Sequence, residues 1–117
     1  MRVNRGDVVL VDYPYSDRTG SKIRPCVVVQ NDRNNQRLDD TIIVTISRRT
    51  QTAEPTQLLI LAASKEGKQA GLLSDSSVRC ENILSVDLSF VKRKVGTLTS
   101  DLIDKVDVCL KVSLDLV

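Results

Sequence analysis

Val8-Val-Leu-Val-Asp-Tyr-Pro-Tyr-Ser-Asp-Arg-Thr-Gly-Ser-Lys-Ile-Arg-Pro-Cys-Val-Val-Val-Gln30 places two short, β-branched apolar runs on either side of a polar loop. Residues 8–12 and 26–30 have the length and branching of buried strands. Between them, residues 13–22 concentrate turn formers and polar groups. Pro25 is expected to open the second strand, where a missing N–H costs little, and Asn31-Asp32 closes it with a turn signal.

The same pattern continues outward. Thr41-Ile-Ile-Val-Thr-Ile46 predicts a third strand after a polar, partly helical connection, and further strands are expected near residues 57–61, 78–83 and 91–97. The period then changes. Leu102/Ile103, Val106, Leu110, Leu114 and Val117 recur at steps of three and four, with Asp104, Asp107, Lys111 and Asp115 on the other side. That spacing predicts an amphipathic helix. Thr99 or Ser100 can cap it, Asp101 and Asp104 suit the positive end of its dipole, and Asp107 and Lys111 stand in the better order for an ion pair. Five or six successive strands and a closing helix predict an α+β, mainly β domain spanning residues 1–117. Its form is a curled, mostly antiparallel sheet or small barrel with the helix packed on it.

Composition narrows the chemistry. Three cysteines without metal-ligand spacing read as buried free thiols suited to a reducing compartment. There is no histidine, so imidazole zinc sites and Ser-His or Cys-His nucleophiles are excluded. Proton transfer must fall to Arg, Lys, Asp, Glu, Tyr or Cys, and no metal or cofactor is expected. The longest apolar run, residues 58–63, is far short of a membrane span, and no apolar signal region follows the first charges. A cytoplasmic protein is expected. Residues 1–49 hold nine Lys and Arg against six Asp, and residues 100–117 hold two against four. A basic half beside an acidic helix suits RNA on one face; ordinary solvated charge suits it equally.

Arg24-Pro25 is the first feature with mechanical consequences. Proline forces the residue before it into extended geometry, holding Arg24 at the mouth of an apolar strand with its forked donors available to a phosphate. Taken alone, the pair also fits a structural ion pair. Arg5-Gly6-Asp7-Val8, Gly20, Arg24-Pro25 and the strand into Gln30-Asn31-Asp32 together resemble the N-terminal signature of MazF/PemK toxins. The resemblance continues through residues 41–47, Asp75-Ser76, Val78-Arg-Cys-Glu-Asn82 and Gly96-Thr-Leu-Thr99, covering nearly the whole chain in order.

The resemblance implies an SH3-like barrel of five to seven strands and a homodimer. It also implies a type II toxin that cleaves single-stranded RNA by attack of the adjacent 2′-hydroxyl, leaving 2′,3′-cyclic phosphate and 5′-hydroxyl ends. A cognate MazE/PemI-like antitoxin is the implied second partner, with an acidic, disordered segment lying over the site. By the same resemblance Arg24 stabilises the pentacovalent phosphate or acts as acid, and Ser47 stands where the family has a threonine. Arg79 and Glu81 match an Arg-x-Asp acid and base pair, and at i and i+2 on one strand they share a face. Ser47 also fits a turn cap, and Arg79 with Glu81 a surface ion pair. Tyr15, Arg18 and Lys22 of the loop, with Arg48 and Arg49, are the expected RNA contacts, whereas Lys92-Arg93-Lys94 reads as a solvated strand edge.

The chain departs from the family where members carry Glu-Gln and glycine before Arg-Pro. Here residues 18–23 hold no carboxylate, and Arg18 falls near a family histidine, so target sequence does not transfer. Two other readings share the fold. A gyrase-poisoning toxin of the CcdB type relies on a C-terminal tryptophan, and this chain has no tryptophan. A non-catalytic barrel binding RNA or a peptide is disfavoured by Arg24, Arg79 and Glu81.

Overall fold

The computed structural model describes residues 1–14, 20–51 and 54–117. Six strands form one sheet: β1 (Asp7–Pro14), β2 (Ser21–Val28), β3 (Asp40–Ser47), β4 (Gln57–Ile60), β5 (Ser76–Asp87) and β6 (Val91–Thr97). Their order is β4-β5-β3-β2-β1-β6, with every neighbouring pair antiparallel. Among the described residues three α-helices accompany the sheet, α1 (Asp32–Arg37), α2 (Lys65–Gln69) and α3 (Ser100–Ser113), with a 3-10 turn at Leu88–Phe90. The mainly β, barrel-like architecture with a C-terminal helix is the one expected. Its edge strands β4 and β6 remain unjoined in the strand order.

Alternation along the strands builds two cores. Val8, Val27, Val44, Val78 and Cys80 turn toward α3 and pack on Leu102, Val106 and Cys109. Each such aliphatic side chain contributes about 1.5–3 kcal/mol when fully buried. The intervening residues Val9, Val11, Cys26, Val28 and Ile43 turn the other way, and the ends of β5 and β6 bring Val86 and Val91 over them. The sheet must curl for one strand set to serve both cores. An irregularity at Val44/Thr45 supplies part of the bend: Val44 faces Ile83 and Thr45 faces Arg79, so one step on β3 spans four residues of β5.

The Arg5-Gly6-Asp7 signature is architectural. Arg5 Nε donates to the Val29 carbonyl at 3.0 Å, and its guanidinium pairs with Asp107 on α3. Gly6 sits at φ 92°, and a Cβ there would lie 2.6 Å from Ile103 Cδ1. Asp7 accepts the Asn4 N–H at 2.8 Å and pairs with Lys94 Nζ at 3.1 Å. Buried Asn35 ties α1 to the sheet: its Oδ1 accepts from Gln30 Nε2 and Thr41 Oγ1 at 3.0 and 2.7 Å.

Several local expectations need adjustment. The β1–β2 pairing extends to Tyr13↔Lys22 and Pro14↔Ser21, so both strands run into the stretch read as loop, and Pro25 lies inside β2. Helix α2, capped by the Ser64 hydroxyl accepting the Gly67 N–H, is an element the sequence pattern does not predict. Thr99 does cap α3, but Asp107 is taken by Arg5, and the intrahelical pair is Lys105–Asp101 at 3.4 Å. The helix stops before Leu114 can join the buried stripe. Asp115 adopts φ 55°, with Leu116 N–H bonded to Lys111 C=O and Asp115 N–H to Val112 C=O. This is a Schellman termination built without glycine.

All three cysteines are buried free thiols. Burial pushes Cys26 and Cys80 up to about 12, which makes them inert as nucleophiles at neutral pH.

Candidate active site

Pro25 shapes the site. Strand β2 pairs with β1 from Ser21 to Val27, but its ladder with β3 is confined to Cys26↔Thr45, Val27↔Val44 and Val28↔Ile43. Proline has no N–H to continue that ladder, and β2 parts from β3 just before Cys26. A cleft of about 520 Å³ opens there. Arg24 and Pro25 line one side, Ile46 and Ser47 another, and Gly71–Ser74 face them after α2.

The charge of the cleft has one sign. Lys22, Arg24, Arg48 and Arg93 line it, and among the described residues no Asp or Glu does. Among the described residues none of these four cations joins an ion pair. The Arg24 guanidinium carbon stands 6.0 Å from the centroid of the Tyr13 ring, the outer limit of a cation–π contact. Ser47 Oγ accepts the Arg49 N–H at 3.1 Å. The turn-cap role is therefore realised, and the Ser47 hydroxyl proton still has an acceptor to find. Clustered cations in a low-dielectric cleft attract a polyanion strongly.

Arg79 and Glu81 occupy the irregular segment of β5, outside the cleft lining. They face the same side, with Arg79 Nη1 4.0 Å from Glu81 Oε2. Register places Cys26, Thr45, Arg79 and Gln57 in one row across β2, β3, β5 and β4. Arg24 and Ser47 lie two residues further along their strands on that same face. Strand spacing and rise put Arg24 and Arg79 roughly 12 Å apart at Cα, within the joint reach of two extended arginine side chains.

The first residue of β4 and the one before it fix the carboxylate. Thr56 Oγ1 and Gln57 Nε2 donate to Glu81 at 3.1 and 2.6 Å. Burial pushes the Glu81 carboxyl upward. Hydrogen bonds from Gln57, its own backbone and Thr56, with the Arg79 charge, outweigh that and hold it below the usual carboxylate range. Arg79 Nε is buried without a hydrogen-bond partner. An orphaned charged donor is costly in a finished structure, and an anion bound beside it would satisfy it.

Of the expected RNA contacts, Lys22 and Arg48 line the cleft, whereas Arg49 is exposed beyond it. Tyr15 and Arg18 lie outside the described residues. The sequence reads Arg93 as part of a solvated edge, and β6 is indeed an edge strand, yet this one side chain of the three lines the cleft. Only the pairing of Leu10 with both Pro25 and Arg93 brings it there. Among the described residues no group of three or more His, Cys, Asp or Glu could hold a metal ion.

Comparison with known proteins was consistent along the chain. The family model of PemK-like, MazF-like toxins of type II toxin–antitoxin systems matches residues 4–114. Endoribonuclease EndoA of Bacillus subtilis (strain 168) is 33% identical over 119 aligned positions, covering 100% of this chain and 98% of that protein. An endoribonuclease from a mycobacterial species, solved in complex with its cognate antitoxin, superposes with a TM-score of 0.78 at 22% identity, covering 98% and 97% of the two chains. A MazE–MazF structure from Deinococcus radiodurans gives a TM-score of 0.78 at 17% identity, with 100% of each chain covered.

Proposed function

This chain belongs to the PemK-like, MazF-like toxins of type II toxin–antitoxin systems, and from that premise we propose that it is a metal-independent endoribonuclease acting on single-stranded RNA. The observation that carries the proposal is Arg24, held beside Pro25 at a cationic cleft with no carboxylate in its lining among the described residues. The nucleophile is the substrate's own 2′-hydroxyl, which fits a chain with no histidine and with buried, inert thiols.

In the proposed reaction Glu81 takes the 2′-hydroxyl proton as the 2′-oxygen attacks the adjacent phosphorus. The O2′–P bond forms and the P–O5′ bond breaks. The products are a 2′,3′-cyclic phosphate and a 5′-hydroxyl, whose proton comes from Arg79. Arg24, Ser47 and the unpartnered Arg79 Nε stabilise the charge that builds on the equatorial oxygens. The flanking strand runs over Lys22, Arg48 and Arg49.

A MazE/PemI-like antitoxin is the proposed inhibitor, by likeness to the mycobacterial endoribonuclease and the Deinococcus radiodurans MazF, both solved with antitoxin. An acidic segment of it would complement the cleft. A homodimer working on cytoplasmic RNA completes the reading. No helix among the described residues is long and apolar enough to cross a membrane.

The test is incubation of the purified protein with a long single-stranded RNA in excess chelator, followed by end-group analysis. Cyclic phosphate and 5′-hydroxyl ends support the reading. Intact RNA, or cleavage that chelation abolishes, sinks it.

The role of Glu81 has its own signature. A general base works deprotonated, above its pKa, so a lowered pKa extends activity toward acid. The acid limb of kcat/KM is expected below the ordinary carboxyl value of 4.5. Glu81→Gln should lower kcat by about 10²-fold and remove that limb. A limb that persists unchanged in this variant assigns the base elsewhere.

A further inference from the structure

We propose that Arg93 is a positioning residue for the RNA, holding the phosphate of a nucleotide that flanks the scissile bond at Arg24; this rests on the ribonuclease reading above. Strand β6 carries three consecutive cations, and the fold gives them different surroundings. Lys94 is 3.1 Å from the carboxylate of Asp7 and is committed to that pair. Lys92 is exposed and does not line the cleft. Arg93 lines it and has no ion pair among the described residues.

Register fixes where its guanidinium can act. Leu10 is opposite Arg93 on one side and Pro25 on the other, so Arg93 shares a sheet face with Pro25 at two strand spacings, roughly 10 Å away. Arg24, the residue before Pro25, belongs to the opposite face. The two guanidiniums thus meet the cleft from different sides, an arrangement suited to successive phosphates rather than to one. Ile23, Leu72 and Leu73 line the same cleft and provide an apolar surface for a base. A forked guanidinium with no carboxylate to occupy it among the described residues is the group that recognises a phosphodiester oxygen pair.

The position of Arg93 relative to the reacting bond dictates the test. Cleavage sites are mapped on a long transcript, and one site is remade as a short oligoribonucleotide and as the bare dinucleotide. For the oligoribonucleotide, Arg93→Gln should raise KM about tenfold and leave kcat within about twofold, because the contact is made in ground and transition states alike. Binding of the same oligomer with a 2′-deoxy group at the attacking position should weaken in parallel. The slope of log affinity against log salt should fall by about 0.7, the loss of one single-strand phosphate contact. Arg93→Lys should recover that slope without recovering the full KM. On the dinucleotide, both variants should match the wild type. If the wild type cleaves, an unchanged KM and salt slope in Arg93→Gln, or an equal defect on the dinucleotide, overturns the role of Arg93 alone. A wild type that cleaves no RNA overturns the ribonuclease reading instead.

Discussion

Arg24→Ala is expected to lower kcat for RNA cleavage by about 10³-fold, the loss that follows removal of one preorganised donor from a charged transition state. The fold should survive. Arg24 is half-buried, forms no ion pair among the described residues, and stands on a strand whose ladder with β1 involves only backbone. Its one ring contact, with Tyr13, is at the edge of the useful range. A near-unchanged thermal midpoint beside a collapsed kcat would place the side chain in the chemistry. Arg24→Lys separates charge from geometry: a point charge restores attraction for the phosphate but not the fork, so affinity should recover more than kcat. If Arg24→Ala cleaves at the wild-type rate, the residue is a bystander and the proposed centre is wrong.

How far residues announce such a centre depends on how local their physics is. Val8, Val27 and Ile43 declare their strands because β-branching and alternation are read within a few positions, and Leu102, Val106 and Leu110 declare α3 by period alone. Arg24-Pro25 is legible for the same reason: proline acts on its immediate neighbour and on its own missing hydrogen bond. Arg79 and Glu81 announce a shared face through their spacing. The partners that fix Glu81, Thr56 and Gln57, come from the start of β4 and the residue before it, 24 or more positions away. Arg93 enters the cleft through Leu10, far along the chain, and nothing beside it in sequence distinguishes it from Lys92 or Lys94. Asp115 is illegible for another reason. It takes a left-handed conformation usually left to glycine, so the apolar period runs past the true end of α3.

Gly71→Ala should be the most damaging small substitution in the wall of the cleft. Gly71 has φ 75°, where an L side chain costs about 1–2 kcal/mol. A Cβ there would stand 2.3 Å from the Val95 carbonyl oxygen, a backbone atom of β6 that cannot swing aside. Gly96 makes the reciprocal approach, its Cβ position 2.4 Å from the Ala70 carbonyl carbon. Together the two glycines let the end of α2 lie directly on β6, and from that contact residues 71–74 run along the cleft opposite Arg24 and Ser47. Strain and overpacking together predict a loss of about 2–4 kcal/mol for Gly71→Ala, or roughly 10 °C in Tm for a domain of this size. Below the new midpoint kcat/KM should also fall, because the displaced wall widens the cleft. The double variant Gly71→Ala/Gly96→Ala should lose less stability than the sum of the single changes, since the first displacement already relieves the second clash. Strict additivity would mean that the two glycines serve separate contacts and that the wall does not depend on their joint approach.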